Sequence, residues 1–136
     1  MLCTGACWDS MLDYIKDSSH NVTSSKDWGN YSISGFEITR GSYAEYANGT
    51  LGSFTAVTGT YKKELYSVSN KDILLTTGAT ERNSAKNIYD VAGNCYEWTT
   101  ESDTSAYRAT RGGYYNYNGT FSPASYRDAR LSVLQW

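Results

Sequence analysis

Charge, proline and cysteine are all scarce in this chain. Only 19% of its 136 residues are charged and the net charge is -2, so no electrostatic field favours a nucleic-acid partner, and the few Lys and Arg residues are scattered rather than striped. Three cysteines are too few and too odd a set for a disulfide framework, which points to reduced or incidental thiols. Cys3 and Cys7 are four apart, yet a bridge needs specific geometry. A zinc site would need more ligands than the single histidine, His20, can add. That histidine lies in a Ser/Asn loop with no acid or nucleophile at recognisable spacing, and is expected as a solvated loop residue. No apolar run approaches the length of a membrane span, and the opening residues lack the basic head and apolar core of a signal peptide. A soluble chain is expected, with its compartment open.

One proline set against 13 tyrosines and 12 glycines, with abundant Ser, Thr and Asn, favours short strands and many turns over a helical bundle. The length suits one domain. So many tyrosines cannot all be buried with satisfied hydroxyls, and those at the surface are good contact groups.

Trp8, Met11, Leu12 and Ile15 recur at helical spacing, which predicts an amphipathic helix from about Ala6 to Asp17 with Thr4 as N-cap. Asn48-Gly49 is a turn signal expected to close a hairpin between Tyr43 to Tyr46 and Ser53 to Val57. Asp72 to Thr77 reads as a buried strand ended by Gly78. Asn87 to Val91 forms a short element that turns at Gly93-Asn94, Tyr96 to Thr99 continues as a strand, and Tyr107 to Thr110 makes another, broken by Arg111-Gly112-Gly113. In the first of these strands Trp98 is expected to anchor the core. Glu97 points the other way, and must be exposed, paired or bound to a cation.

At Asn87, Asp90, Gly93, Asn94, Glu97, Trp98 and Arg111 to Gly113 the chain resembles the formylglycine-generating enzyme and sulfatase-modifying-factor domain family, whose hallmark reads close to Asn-x-x-Asp-x-x-Gly-Asn-x-x-Glu-Trp followed by Arg-Gly-Gly. Leu2 to Asp9 ahead of the helix, and Thr77 to Asn83, look like further signatures of that family. The resemblance implies an α+β, C-type-lectin-like fold, loop-rich with a small antiparallel sheet. It also implies that residues 1–136 form a single domain lacking its N-terminal part and closing strand, for which Leu131 to Leu134 could substitute.

Catalytic members of the family oxidise a substrate cysteine with a pair of cysteines after the Arg-Gly-Gly, whose thiolates hold copper. Here Tyr114 to Arg130 contains no cysteine, so a copper-dependent oxidoreductase is disfavoured. Cys95 inside the hallmark is expected as a buried thiol acting as a small hydrophobe. Asp90 and Glu97 are expected in structural ion pairs with Arg82, Arg108 or Arg111, ahead of an alternative in which they join Asn94 around a calcium ion, as relatives of this fold often do. No cofactor beyond such a structural calcium is expected. The sequons at Asn21, Asn30, Asn48 and Asn118 are read as chance in so Asn-rich a chain.

The segment Tyr114 to Asp128 combines Tyr, Ser, Asn and Gly, the residues of loops that recognise diverse partners. It also resembles the non-catalytic variable proteins of diversity-generating retroelements, whose region after Arg-Gly-Gly is rewritten at adenine-bearing codons. The expectation is a ligand-binding domain that contacts a protein or glycan through Tyr114, Tyr115, Tyr117, Asn118, Ser122, Ser125, Tyr126 and Asp128. The resemblance implies display at a surface or outside the cell. An inactive gene fragment is the remaining alternative.

Overall fold

The computed structural model describes residues 2–104 and 106–131. Helix α1 (Gly5–Ile15) is capped as its sequence predicts, the Thr4 hydroxyl accepting from the Cys7 N–H at 3.0 Å, and it buries Trp8, Leu12 and Ile15. It stops two residues before the expected Asp17. There the Asp17 carboxylate accepts from the backbone N–H groups of Ser19 and His20, which turns the chain away. His20 is half-buried rather than solvated, with Nδ1 2.9 Å from Asp17 Oδ1 and its ring edge-on to Trp28.

Strands β1 (Phe36–Ile38), β2 (Ser42–Ala47), β3 (Thr50–Leu51), β4 (Thr55–Ala56) and β5 (Tyr61–Lys63) follow, then a one-turn helix α2 (Tyr66–Ser69) and β6 (Asp72–Leu75). After a 3-10 turn at Glu81–Asn83 come β7 (Ser84–Ala85), β8 (Ile88–Tyr89), β9 (Glu97–Thr104), β10 (Tyr107–Arg111) and β11 (Arg127–Leu131). The architecture is therefore mixed: few helices and several small antiparallel sheets.

Local chemistry explains the main pairings. Asn48 and Gly49 both take positive φ, the requirement of a tight hairpin turn, and join β2 to β3 in the register Tyr46↔Leu51. The continuation at β4 folds back on the start of β2, so the expected hairpin forms in two pieces. On its other edge β2 pairs with β6, whose four residues are all buried. A second sheet runs β11-β10-β9. Strand β11 has no counterpart in the sequence reading, because Arg127, Asp128 and Arg130 mask its alternation. Of the expected closing segment only Leu131 falls within the described residues.

Two apolar clusters result. One gathers Trp8, Leu12, Ile15, Trp28, Tyr31, Val91 and Ala92; the other lies under β2 and β6 around Ile38, Ile73, Leu75 and Ala79. Trp98 belongs to neither cluster and is half-exposed, against expectation. The inward residue of β9 is Thr99, whose hydroxyl donates to the Ala109 carbonyl at 3.0 Å, while Trp8 and Trp28 fill the interior. Among the described residues no helix is long and apolar enough to cross a membrane.

Candidate functional site

The hallmark works as a set of ties between distant segments. Asn94, buried and at φ +59, directs its side chain away from its own turn and onto β6. Its Oδ1 accepts from Leu75 N at 2.9 Å and from Asn30 Nδ2 at 3.0 Å, and its Nδ2 donates to the Leu75 carbonyl at 2.9 Å. Its carbonyl in turn accepts from the Tyr115 N–H at 3.0 Å. One asparagine thus links the Asn30 loop, β6 and the segment after the double glycine. Beside it, a Cβ on Gly93 would stand 2.1 Å from the Asn30 carbonyl oxygen, so only glycine fits.

Tyr31 is the hub of the larger cluster. Its ring is fully buried, its hydroxyl donates to the Gly112 carbonyl at 3.3 Å, and side chains at Gly29, Gly93, Gly113 or Gly119 would press against the ring at 2.3 to 3.1 Å. Arg111, also buried, pairs with Asp9 of α1 at 2.6 Å and Glu101 of β9 at 3.2 Å. The Arg-Gly-Gly triplet therefore fastens the second sheet to α1 and lets the chain pass tightly over Tyr31.

What this frame presents is a run of touching aromatic rings. Tyr114 lies 4.4 Å from Tyr115, 5.1 Å from Tyr96 and 5.8 Å from Tyr117, centroid to centroid. Tyr117 continues the run to Tyr126 at 6.4 Å, Tyr96 to Trp98 at 6.2 Å, and Tyr115 to Tyr46 at 5.9 Å. Arg130 stacks over Tyr96, donates to the Tyr117 hydroxyl at 2.7 Å and lies 2.7 Å from the Asp128 carboxylate. Burial pushes the Tyr114 and Tyr126 hydroxyls up, with the Asp128 carboxylate adding to it at Tyr126, so both are protonated and neutral at physiological pH. The surface offers flat apolar area, hydroxyls and one anchored cation.

The expected contact residues divide within this face. Tyr114, Tyr117, Asn118, Ser122, Ser125, Tyr126 and Asp128 are partly exposed. Tyr115 is not: at 2% exposure it supports the other rings from beneath, a correction to its reading as a contact. The Asn118 side chain is occupied locally, accepting from the Thr120 N–H at 2.8 Å to shape the turn. Asp128 sits in β11 rather than a loop, committed to Arg130. Sequence reasoning missed Tyr46, Trp98 and Arg130, which join the face from β2, β9 and β11, Tyr96, which lies just before β9, and Phe121, which stands 79% exposed on the same turn as Asn118.

The acidic residues of the hallmark also depart from expectation. Asp90 is buried and Glu97 exposed, and among the described residues neither forms an ion pair with Arg82, Arg108 or Arg111. The third calcium candidate, Asn94, has its carboxamide consumed by Leu75 and Asn30. No group of three or more His, Cys, Asp or Glu suited to a metal occurs among the described residues. Cys95 is exposed rather than buried, because the turn at Gly93-Asn94 faces Asn94 inward. Of the sequons, Asn30 is fully buried and cannot carry a glycan.

No protein-family model, curated protein or solved structure matches the chain.

Proposed function

We propose that the chain is a non-catalytic ligand-binding domain that recognises a protein or glycan through the aromatic face built on Tyr114 to Asp128. The observation that carries this reading is the run of mutually touching, half-exposed tyrosines, fed by three separate segments and held from below by Tyr115 and Asn94. Rigid amphipathic rings lose little entropy on binding and supply both apolar area and hydroxyls, the composition of general recognition surfaces. The hallmark residues support assignment to the C-type-lectin-like domains of the formylglycine-generating type, among their non-catalytic members such as retroelement variable proteins.

The test is to probe the purified chain with an oligosaccharide array and a displayed peptide library. Binders should lose about tenfold or more in affinity when Tyr114 and Tyr117 are both replaced by Ala, by analogy with aromatic anchors elsewhere. Undiminished binding by that double variant would remove this face from the function. The copper-dependent oxidoreductase is the rival, and copper-dependent oxygen consumption with a cysteine-containing peptide would revive it. Against it stands the composition of Tyr114 to Arg130, which contains no cysteine. The fragment reading predicts no cooperative unfolding transition in urea.

A further inference from the structure

We propose that the surface formed by the β1–β5 ribbon and α2, which shares no residue with the tyrosine face, is a self-association surface whose occupant is a second copy of this chain. The ribbon is a two-stranded sheet of its own, joined to neither larger sheet. Beside it, α2 and the residue before it carry Leu65, Tyr66 and Val68, which are 40%, 47% and 65% exposed, and no residue of α2 is buried. Three neighbouring large side chains left uncovered make an apolar patch that needs an explanation. Where the ribbon meets α2 lies a cavity of about 380 Å³, with Phe36, Leu65 and Val68 as its apolar walls.

Charge complementarity selects the occupant. Glu37 and Lys62 both line the cavity, both are exposed, and they stand opposite one another in the strand register. Glu37 has no ion pair among the described residues, and that of Lys62 is long, 3.6 Å to Glu64. The other lining cation, Lys63, is turned inward and held by the carbonyls of Tyr31 and Ser34. Each copy therefore offers an unpaired carboxylate and a loosely held ammonium beside an apolar wall. A two-fold axis sets one residue against another and repeats the contact in reverse, so Glu37 meets the partner's Lys62 twice in one interface. A net charge of only -2 on the whole chain leaves little repulsion between copies.

The same charges oppose the alternative of joining strand edges. A two-fold centred on β1 or on β5 would set Glu37 against Glu37 or Lys62 against Lys62, like charges directly across a ladder. Docking face to face avoids that conflict. Tyr66, next to Leu65 in the chain but not among the cavity's lining residues, is the ring that each copy inserts into the other's cavity. Apolar contact supplies the affinity, and the exposed charge pairs fix the orientation.

Sedimentation equilibrium of the whole chain, taken to about 0.5 mM so that a weak dimer is populated, should show the mass rising from monomer towards dimer. Val68→Asp, at an exposed position, should leave the urea midpoint in place and weaken association about tenfold or more. Glu37→Lys and Lys62→Glu should each self-associate about tenfold more weakly than wild type. Mixed in equal amounts, those two variants should form a heterodimer tighter than either homodimer, because one then presents two cations and the other two carboxylates. A chain that stays monomeric throughout, folded Val68→Asp that dimerises like wild type, or a mixture no tighter than its components would each overturn the proposal. So would a dimer retained in Val68→Asp and lost when Tyr114 and Tyr117 are replaced by Ala, which would place the contact on the tyrosine face. Ligand binding by that face is measured on Val68→Asp, so the two readings fail separately.

Discussion

Replacing Asn94 by Asp alters a single group at the junction of three segments. The retained oxygen can still accept from Leu75 N and Asn30 Nδ2, but the new oxygen stands where Nδ2 now donates to the Leu75 carbonyl at 2.9 Å. Ionised, it sets acceptor against acceptor in a buried position. The cost combines an orphaned buried carbonyl, about 1–3 kcal/mol, with partial burial of a charge, for a total of roughly 3–5 kcal/mol. Protonated, the introduced carboxyl donates to Leu75 and most of that cost disappears. Its folded-state pKa must then lie above the unfolded value of about 3.9. The sign follows: near-native stability holds below the unfolded pKa and is lost as pH rises through the folded one, at up to about 1.4 kcal/mol per pH unit. Urea unfolding of wild type and Asn94→Asp between acid and neutral pH, read by the four tryptophans, measures that difference. Asn118→Asp is the control, since its half-exposed oxygen only accepts from Thr120, and it should stay within about 0.5 kcal/mol of wild type. A neutral-pH penalty for Asn94→Asp below about 1 kcal/mol, or one independent of pH, would refute the assigned hydrogen bonding.

Gly93→Ala should cost more than about 4 kcal/mol or abolish cooperative urea unfolding, because the added carbon meets a backbone oxygen at 2.1 Å and φ is +70. Tyr115→Ala should cost about 3–5 kcal/mol in the same assay, whereas Phe121→Ala should stay within about 0.5 kcal/mol, separating the buried support from the exposed tip. Lys63 is 1% exposed and its amine donates to the carbonyls of Tyr31 and Ser34; burial lowers its pKa from 10.5 to about 8. The cost of its charge is therefore fully present below pH 8 and relieved as pH rises towards 10.5. Wild type should gain on the order of 3 kcal/mol relative to Lys63→Met across that window, measured by paired urea unfolding, and a constant difference would contradict the assignment.

The parts legible in the sequence were those fixed by neighbours along the chain. Trp8, Leu12 and Ile15 wrote their helix in a 3.6-residue period, Asn48-Gly49 its turn, and Asp72 to Leu75 its buried strand. Gly93 and Asn94 both adopt the positive φ expected of a turn. Misread residues are those whose surroundings come from far away. Trp98 reads from its strand as a core anchor, but Trp8 and Trp28, from the other half of the chain, fill the interior. Tyr115 is covered by Tyr46, nearly seventy positions upstream by their numbering. Nothing near Lys63 announces that Tyr31 and Ser34 will turn carbonyls towards its amine. For the candidate site, the loop supplying most of the rings was readable from its composition; the contributions of Tyr46, Tyr96 and Arg130 required the pairing of strands.

The socket around Tyr31 separates two kinds of information carried by one stretch of chain. Because the ring demands the absence of a side chain at Gly113 and Gly119, the instruction to fold resides in positions with nothing to display. On the proposed reading, recognition would reside in the partly exposed residues between and beyond them. A library randomised at Tyr114, Thr120, Phe121 and Ser122 should therefore yield mostly folded members, while one that also varies the two glycines should collapse in yield. If the proposed binding role holds, such a domain could change what it holds without renegotiating how it stands.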